Sequence, residues 1–365
     1  MPLSLAHRVV VVTGASSGIG RATAHEFARH GCRLVLAARR EHALADAAAE
    51  CRARGAQAIY VPTDMTDAAA VEDLARIAIE TFGGIDVWVN NAGVLMLGRF
   101  DQEPQEDFRQ VIETNLFGYV NGARAAMPHF LKRGGGVLIN NASIAGHLGQ
   151  PYSAAYVASK FAVRGFTIAL RQDYQDVPGI QICAVSPSSI DTPIWQHAAN
   201  YSGRAYRAVH PTYDPYAVAR TIVSLARRPR REAVVGTMGQ VMVRQHALMP
   251  DMTERMMGWM ARATTMRDEP EGPRPGTLHG SGEDGLAVRG GWQVMPEVAS
   301  RAIALAALAA VPLGIMLMNR RRRDGASRAG TGGPRRRRYW EEPLRLPAPE
   351  RGRLPPRAGG ADLIL

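Results

Sequence analysis

Tyr156 and Lys160 stand four positions apart in Tyr156-Val157-Ala158-Ser159-Lys160, a spacing that puts both side chains on one helix face, one turn apart. A phenol beside an ammonium can do acid–base chemistry. The cation favours the phenolate and lowers the Tyr pKa towards neutrality, so the ring oxygen can exchange a proton with a substrate hydroxyl or carbonyl. Such a pair alone is common on solvated helices. Here, however, the chain keeps two lysines, Lys132 and Lys160, among 44 basic residues. A sequence that otherwise uses arginine retains lysine where a compact ammonium is required.

A second constellation lies near the amino end. Residues 7–12 read as a short buried strand, followed by Thr13-Gly14-Ala15-Ser16-Ser17-Gly18-Ile19-Gly20 and a helix over 19–30. Glycines at 14, 18 and 20 give a tight turn and clear side chains from where backbone must approach a pyrophosphate, which the free amides of the helix N-terminus stabilise. The site is built for a dinucleotide. Its Gly-x-x-x-Gly-x-Gly spacing differs from the more general Gly-x-Gly-x-x-Gly fingerprint.

With these two motifs and three more in the same order, the chain resembles the short-chain dehydrogenase/reductase family over residues 5–235. Asn90-Asn91-Ala92-Gly93 is similar to the family's strand-four motif, Asn115 to its helix Asn, Ser143 to its catalytic Ser, and Tyr156 with Lys160 to its Tyr-x-x-x-Lys. The resemblance implies an enzyme acting on CH–OH or C=O groups. Tyr156 would be the general acid/base, Ser143 would hold and polarise the substrate oxygen, Lys160 would lower the Tyr pKa and bind nicotinamide ribose, and Asn115 would support a proton-relay water. It also implies a cofactor site made by Gly14, Ser16, Ser17, Gly18, Ile19, Gly20, Asn91, Ala92, Gly93, Tyr156, Lys160, Pro187 and Thr192, and a homodimer or homotetramer. Physically the roles cohere: hydride transfer leaves an alkoxide-like oxygen whose charge needs preplaced donors, and Ser143 and Tyr156 supply two.

The elements that must position these residues follow in alternation. Strand-like runs at 9–12, 33–37, 58–61, 87–89, 137–140 and 180–185 are separated by helical stretches at 19–30, 42–54, 68–81, 105–133 (two helices) and 154–174. That is an α/β, Rossmann-type doubly wound parallel sheet, whose ligand crevice lies beyond the carboxyl ends of the strands. Every motif above falls at or just after one.

The end of the second strand, Ala37-Ala38-Arg39-Arg40, puts cations where an NAD-preferring enzyme carries an acid. An acid would accept the ribose hydroxyls and repel a 2′-phosphate, whereas Arg39 would pair with it, so NADP is expected over NAD. Asp64, after the third strand, resembles the family's adenine-contacting Asp. One departure stands out: after the sixth strand the family usually shows Pro-Gly, but Pro187 is followed by Ser188. Thr192 still matches the residue that meets the nicotinamide carboxamide. Residues 193–213 carry Trp195, Tyr201, Tyr206 and Tyr213, which suits a lid over a bulky or apolar alcohol or ketone as well as it suits plain packing.

Composition frames this. A 365-residue chain with 46% hydrophobic residues can bury a full core in a catalytic domain of residues 1–250 and still leave more than a hundred residues. Three scattered cysteines, Cys32, Cys51 and Cys183, point to a reducing compartment. No metal-ligand spacing stands out, and the first apolar run is already the first strand rather than a signal peptide.

Beyond Gly236 the character changes. Eight of the fifteen methionines fall between Met238 and Met266, with Met252, Met256 and Met260 on one helical face, an adaptable packing surface. Residues 251–298 read as a Met-rich helix and, from 268 to 291, a Gly- and Pro-rich linker. Residues 302–318 are seventeen positions without a charge, followed by Asn319 and four arginines, so 299–319 is a candidate membrane-associated helix. A single span after a cytosolic domain would put the Arg block outside, against the positive-inside tendency, so a cytoplasmic domain tethered at the inner surface is expected. Residues 320–365 hold thirteen arginines against five acids, net +8 of the chain's +11. That reads as a disordered tail able to meet anionic lipid, with no module for nucleic acid beside it.

Three functional readings follow: an NAD(P)-dependent oxidoreductase, a noncatalytic dinucleotide-sensing module, and a membrane-tethered scaffold on the same fold. The complete Ser143, Tyr156 and Lys160 set favours the first, since a sensor or scaffold has no use for it.

Overall fold

A computed structural model describes residues 4–280, 282, 287–292 and 294. The chain divides into two compact units, Met1–Val311 and Pro312–Leu365, and all described residues belong to the first. Its centre is a seven-stranded sheet formed by β1 (Val9–Thr13), β2 (Arg33–Ala38), β3 (Gln57–Pro62), β4 (Val87–Asn90), β6 (Gly136–Asn141), β7 (Ile180–Pro187) and β10 (Glu232–Val235). The order is β10-β7-β6-β4-β1-β2-β3, with every pair parallel. Two-residue β5 (Met96–Leu97) pairs with β8 (Ala199–Asn200), and β9 (Arg204–Tyr206) pairs with β11 (Met266–Pro270).

The strands read as near-continuous apolar runs because helices cover both faces. Along β1, Val10 and Val12 point to one core, with Phe27, Leu44 and Ile222, while Val11 points to the other, with Leu74, Trp88 and Phe130. This is the period-two alternation of a strand. The first core lies under α1 (Gly18–Ala28), α2 (Glu41–Ala53) and α8 (Pro215–Arg227). The second lies under α3 (Ala68–Phe82), α5 (Gly118–Arg133) and α6 (Ala154–Asp173). Capping fixes where helices begin: Asp67 accepts from Ala69 and Ala70 N–H at the start of α3, and Asp214 accepts from Tyr216 N–H ahead of Pro215 in α8.

The expected strands and helices are found within a few residues of their predicted bounds, and the stretch 105–133 is indeed two helices. α4 (Gln105–Ile112) and α5 are joined by a π-turn, Glu113–Phe117, and such turns commonly mark functional positions. The chain then continues through short α7 (Ile194–His197), α8, β10, α9 (Thr237–Leu248) and α10 (Pro250–Met260).

The described part of 268–291, the expected linker, makes specific contacts: β11 pairs with β9, Asn200 and Arg274 exchange backbone hydrogen bonds of 2.8 and 3.0 Å, and Thr277 N–H reaches His197 O at 3.0 Å. Glycine and proline content signalled turns there; the partners that hold them are some seventy positions away in sequence and invisible to local composition. Among the described residues no helix is long and apolar enough to cross a membrane. The candidate membrane helix at 299–319 and the Arg-rich tail lie outside the described residues.

Candidate active site

The carboxyl ends of β1, β4, β6 and β7 open into one cavity of about 1940 Å³, counting its solvent-open mouth. β1 and β4 are adjacent while the chain between them runs out to β2 and β3. This is the topological switch point where such sheets bind ligands.

The corner that gathers Ser143, Tyr156 and Lys160 is built where β6 ends. Ser143 caps a short turn, Ile144–Gly146, its Oγ accepting Ala145 N–H at 3.1 Å. That turn lies directly on α6: a Cβ at Gly146 would sit 2.7 Å from Lys160 O, so glycine is what lets Ser143 approach the helix. Tyr156 and Lys160 project from α6 one turn apart, with Ser143 near enough to the Tyr156 phenol to pull its pKa down. Lys160 Nζ donates to Asn141 O at 2.9 Å, and Tyr119 Oη donates to the same carbonyl at 3.0 Å. The ammonium is 5.2 Å from the Tyr119 ring centroid and 5.6 Å from that of Tyr156.

The electrostatics differ from the sequence expectation. Burial raises the Tyr156 pKa, and Ser143 only partly offsets this. Burial also brings the Lys160 ammonium down to about 7. A cation taken out of water bears its own desolvation cost, so nearness to a phenol does not by itself make that phenol acidic. Asn115 likewise does more positioning than expected. Its Oδ1 accepts Val94 N–H at 2.8 Å, and its Nδ2 donates to Val94 O and to Ser159 Oγ, both at 3.0 Å. The side chain thereby pins the loop after β4 to α6.

At the other end of the cavity, Gly14 and Gly18 have positive φ, and a Cβ at Gly20 would lie 2.1 Å from Gly14 O. The turn closes only without side chains. Thr13 Oγ1 accepts Asn91 N–H at 2.9 Å and Ala92 N–H at 3.2 Å, and Asn91 Nδ2 donates to Thr13 O. Asn91 Oδ1 accepts from Asn141 Nδ2 at 2.8 Å, and one residue earlier Asn90 Nδ2 donates to Asn140 Oδ1 at 2.9 Å. The paired asparagines of β4 and β6 thus tie the glycine loop to the end of β6 that leads to Ser143. Ser16, Ser17, Ile19, Ala92 and Gly93 all line the cavity, as do Pro187 and Thr192. A glycine cradle a Cβ would fill at one end and hydroxyls with an ammonium at the other fit a nicotinamide dinucleotide.

Arg39 and Arg40 line the cavity at the end of β2, as does Asp64, whose Oδ1 accepts from Thr66 N–H and Oγ1. Arg39 donates to the carbonyls of Thr277 and Leu278, at 2.7 and 3.3 Å. The Pro187-Ser188 departure has a local explanation. Ser188 Oγ donates to Val235 O at 2.8 Å, and Cβ atoms at Gly236 and Gly239 would fall 2.5 and 2.0 Å from Ser188 Oγ; glycines across the gap make room for the serine. Of the four lid aromatics, Trp195 and Tyr213 line the cavity. Tyr206 stacks on Trp195, and Tyr201 hydrogen-bonds Asp107.

Sequence reasoning missed Tyr119, Asn141 and the methionine wall of the cavity. Tyr119 lies one helical turn beyond Asn115, a spacing that could have marked it. Met238, Met242, Met257 and Met260 line the cavity from α9 and α10, whereas Met252 and Met256, singled out as a packing face, do not.

Residues 8–201 match the family model for short chain dehydrogenases. The chain belongs to the short-chain dehydrogenase family. It is 36% identical over 275 residues to the oxidoreductase YxnA of Bacillus subtilis, covering 74% of this chain and 77% of that one. It is 34% identical over 190 residues to 2,5-dichloro-2,5-cyclohexadiene-1,4-diol dehydrogenase LinX of Sphingobium indicum, with 52% and 76% covered. Among solved structures, a short chain dehydrogenase/reductase from Burkholderia phymatum in complex with NAD superposes with a TM-score of 0.62 at 28% identity, covering 68% of this chain and 96% of that one. An alcohol dehydrogenase from Thermococcus sibiricus complexed with 5-hydroxy-NADP gives 0.55 at 27% identity, with 63% and 96% covered. As a short-chain dehydrogenase with this fold, the protein is an oxidoreductase that uses a nicotinamide cofactor.

Proposed function

We propose that this short-chain dehydrogenase is NADP-dependent, interconverts a bulky, apolar secondary alcohol and its ketone, and uses Tyr156 as the acid and base. The observation that carries the reading is that Ser143, Tyr156 and Lys160 line the same cavity as Gly14, Ser17 and Gly18 of the glycine turn. When bound, the nicotinamide supplies or takes up the hydride. Tyr156 gives its phenolic proton to the substrate oxygen in reduction and takes it back in oxidation. Ser143 donates to the same oxygen as charge develops there. Lys160, held by Asn141 O, keeps its donors near the Tyr156 ring and towards a ribose, and Asn115 braces the helix turn beneath.

Gly14, Ser16, Ser17, Gly18, Ile19 and Gly20 would hold the pyrophosphate, with Asp64 at the adenine, Asn91, Ala92 and Gly93 under the adenine-side ribose, and Pro187 and Thr192 at the carboxamide. Arg39 and Arg40 favour a 2′-phosphate, because the position carries cations and no acid. The apolar side chains of Ile144, Trp195, Val209, Met238, Met242 and Met257, which line the same cavity as Ser143 and Tyr156, support an apolar substrate of adjustable shape. Three buried, unpaired cysteines support a reducing compartment, and the family resemblance supports a dimer or tetramer.

The test is to titrate the purified protein with NADPH and NADH and then to follow nicotinamide absorbance with ketones of graded size. Tight NADPH binding without turnover of any ketone or alcohol would favour the dinucleotide-sensing module. A clear preference for NADH would sink the assignment to NADP.

A further inference from the structure

The family match ends at residue 201, yet two later stretches return to the dinucleotide cavity. In the first, Leu278 is 1% exposed and packs with Val94, Val111 and Ala155, and His279 Nε2 lies 2.6 Å from the buried Asp107 carboxylate. The carbonyls of Thr277 and Leu278 accept from Arg39, and that of Gly282 accepts from Arg40 Nη1 at 2.8 Å. In the second, residues 287–292, Ala287 O accepts the N–H of Gly18 at 3.1 Å. Arg289 pairs with Asp214 at 2.9 Å, and its guanidinium lies 5.5 Å from the Tyr216 ring centroid.

The fit is close at both anchors. A Cβ at Gly276 would lie 2.2 Å from His197 O, and one at Gly290 would lie 2.5 Å from Thr192 O, so glycine is needed where the backbone docks. Asp191, 2% exposed and next to Thr192, accepts Gly290 N–H at 3.0 Å and Trp292 N–H at 2.8 Å through Oδ1. A buried carboxylate stripped of such donors is costly, so Asp191 favours the docked arrangement. Thr277 and Gly282 line the same cavity as Gly14, Ser17 and Arg39.

We infer that residues 277–280 with 282, and residues 287–292, are a strap over the dinucleotide site with Asp191 as its clasp, and that the strap must undock before the cofactor can leave. The inference rests on the nicotinamide reading of the cavity. Asp191, His279 and Arg289 are then positioning residues: they touch the strap or its seat and set the rate of cofactor exchange.

The test uses the full chain and its variant carrying His279→Ala with Arg289→Ala, two partly exposed positions outside the cavity lining. Release of NADPH, followed by stopped-flow fluorescence on displacement, should be about five- to tenfold faster in the variant; an equal rate overturns the strap. In the unaltered protein, which serves if the variant does not fold, saturating NADPH should slow tryptic cleavage after Arg289 about fivefold or more, as a strap held down over its ligand requires. Unchanged or faster cleavage overturns it, faster cleavage meaning that strap and dinucleotide compete for Gly18 and Arg39. If NADPH binds neither protein, the cofactor reading itself fails, an outcome separate from binding with unchanged release.

Discussion

Lys160 Nζ is 2.9 Å from the backbone carbonyl of Asn141, the last residue of β6. The one lysine of α6 is therefore anchored to the sheet rather than left to swing on its helix, and the same carbonyl receives Tyr119 Oη. Two donors on one oxygen, from α5 and α6, fix both helices against the end of the strand that delivers Ser143. The position of the ammonium relative to Tyr156 is thus a property of β6 as much as of the four-residue spacing.

Replacing Tyr156 with phenylalanine keeps the ring packing and removes the exchangeable proton. Turnover should fall by about 10² to 10⁴ in kcat, while NADPH affinity, measured by fluorescence titration, stays within a few-fold. An unaltered kcat would exclude Tyr156 as the acid and base.

Burial lowers Lys160 from its ordinary 10.5 to about 7, so between those values the unfolded chain holds a proton that the folded protein has released. Stability then rises with pH across that window, by at most about 1.4 kcal/mol per pH unit. Urea unfolding of the protein and of Lys160→Met should show the unaltered protein gaining on the variant between about pH 7 and about pH 10. A constant difference between the two would show that Lys160 keeps its charge when buried.

Two glycines should respond oppositely to alanine. At Gly20 the new Cβ would collide with Gly14 O at 2.1 Å, backbone against backbone, so Gly20→Ala should cost about 2 kcal/mol or more in thermal or urea unfolding and abolish NADPH binding. At Gly165, exposed on α6 with nothing within 4 Å of the added carbon, Gly165→Ala should stabilise by about 0.5–1 kcal/mol. Equal effects at the two sites would contradict the crowded cradle.

Arg39→Asp should weaken NADPH binding by about ten- to a hundredfold and NADH binding far less. Both cofactors would share whatever is lost with the Thr277 and Leu278 contacts, so the ratio of the two affinities isolates the 2′-phosphate. A ratio that does not move, read from parallel titrations, would leave Arg39 with a purely structural role at the strap.

Much of the site could be read from the chain because its residues lie in short-range patterns. The Gly14, Gly18 and Gly20 turn, the Tyr156–Lys160 turn and the apolar runs of β1, β2 and β4 are each set by periodicities within one element. Those patterns decide local conformation before any tertiary contact forms. Asn90 and Asn91 are visible in the sequence only as part of one motif, and Asn140 and Asn141 carry no signal of their own. Their function as an amide brace needs β4 and β6 in register, Asn90 opposite Asn140.

The sequence by itself therefore determined the sheet and the order of its motifs, since each follows from spacing along one helix, strand or turn, while the family resemblance nominated Ser143, Tyr156 and Lys160. Only the tertiary structure decided how polar the corner is, which methionines line the cavity, and that residues read as a linker lie across Arg39, Gly18 and Asp191. The reason is physical. Desolvation of Lys160 and Tyr156 depends on everything packed around them, and the strap's hydrogen bonds join atoms up to 269 positions apart, a distance over which local propensity carries no information.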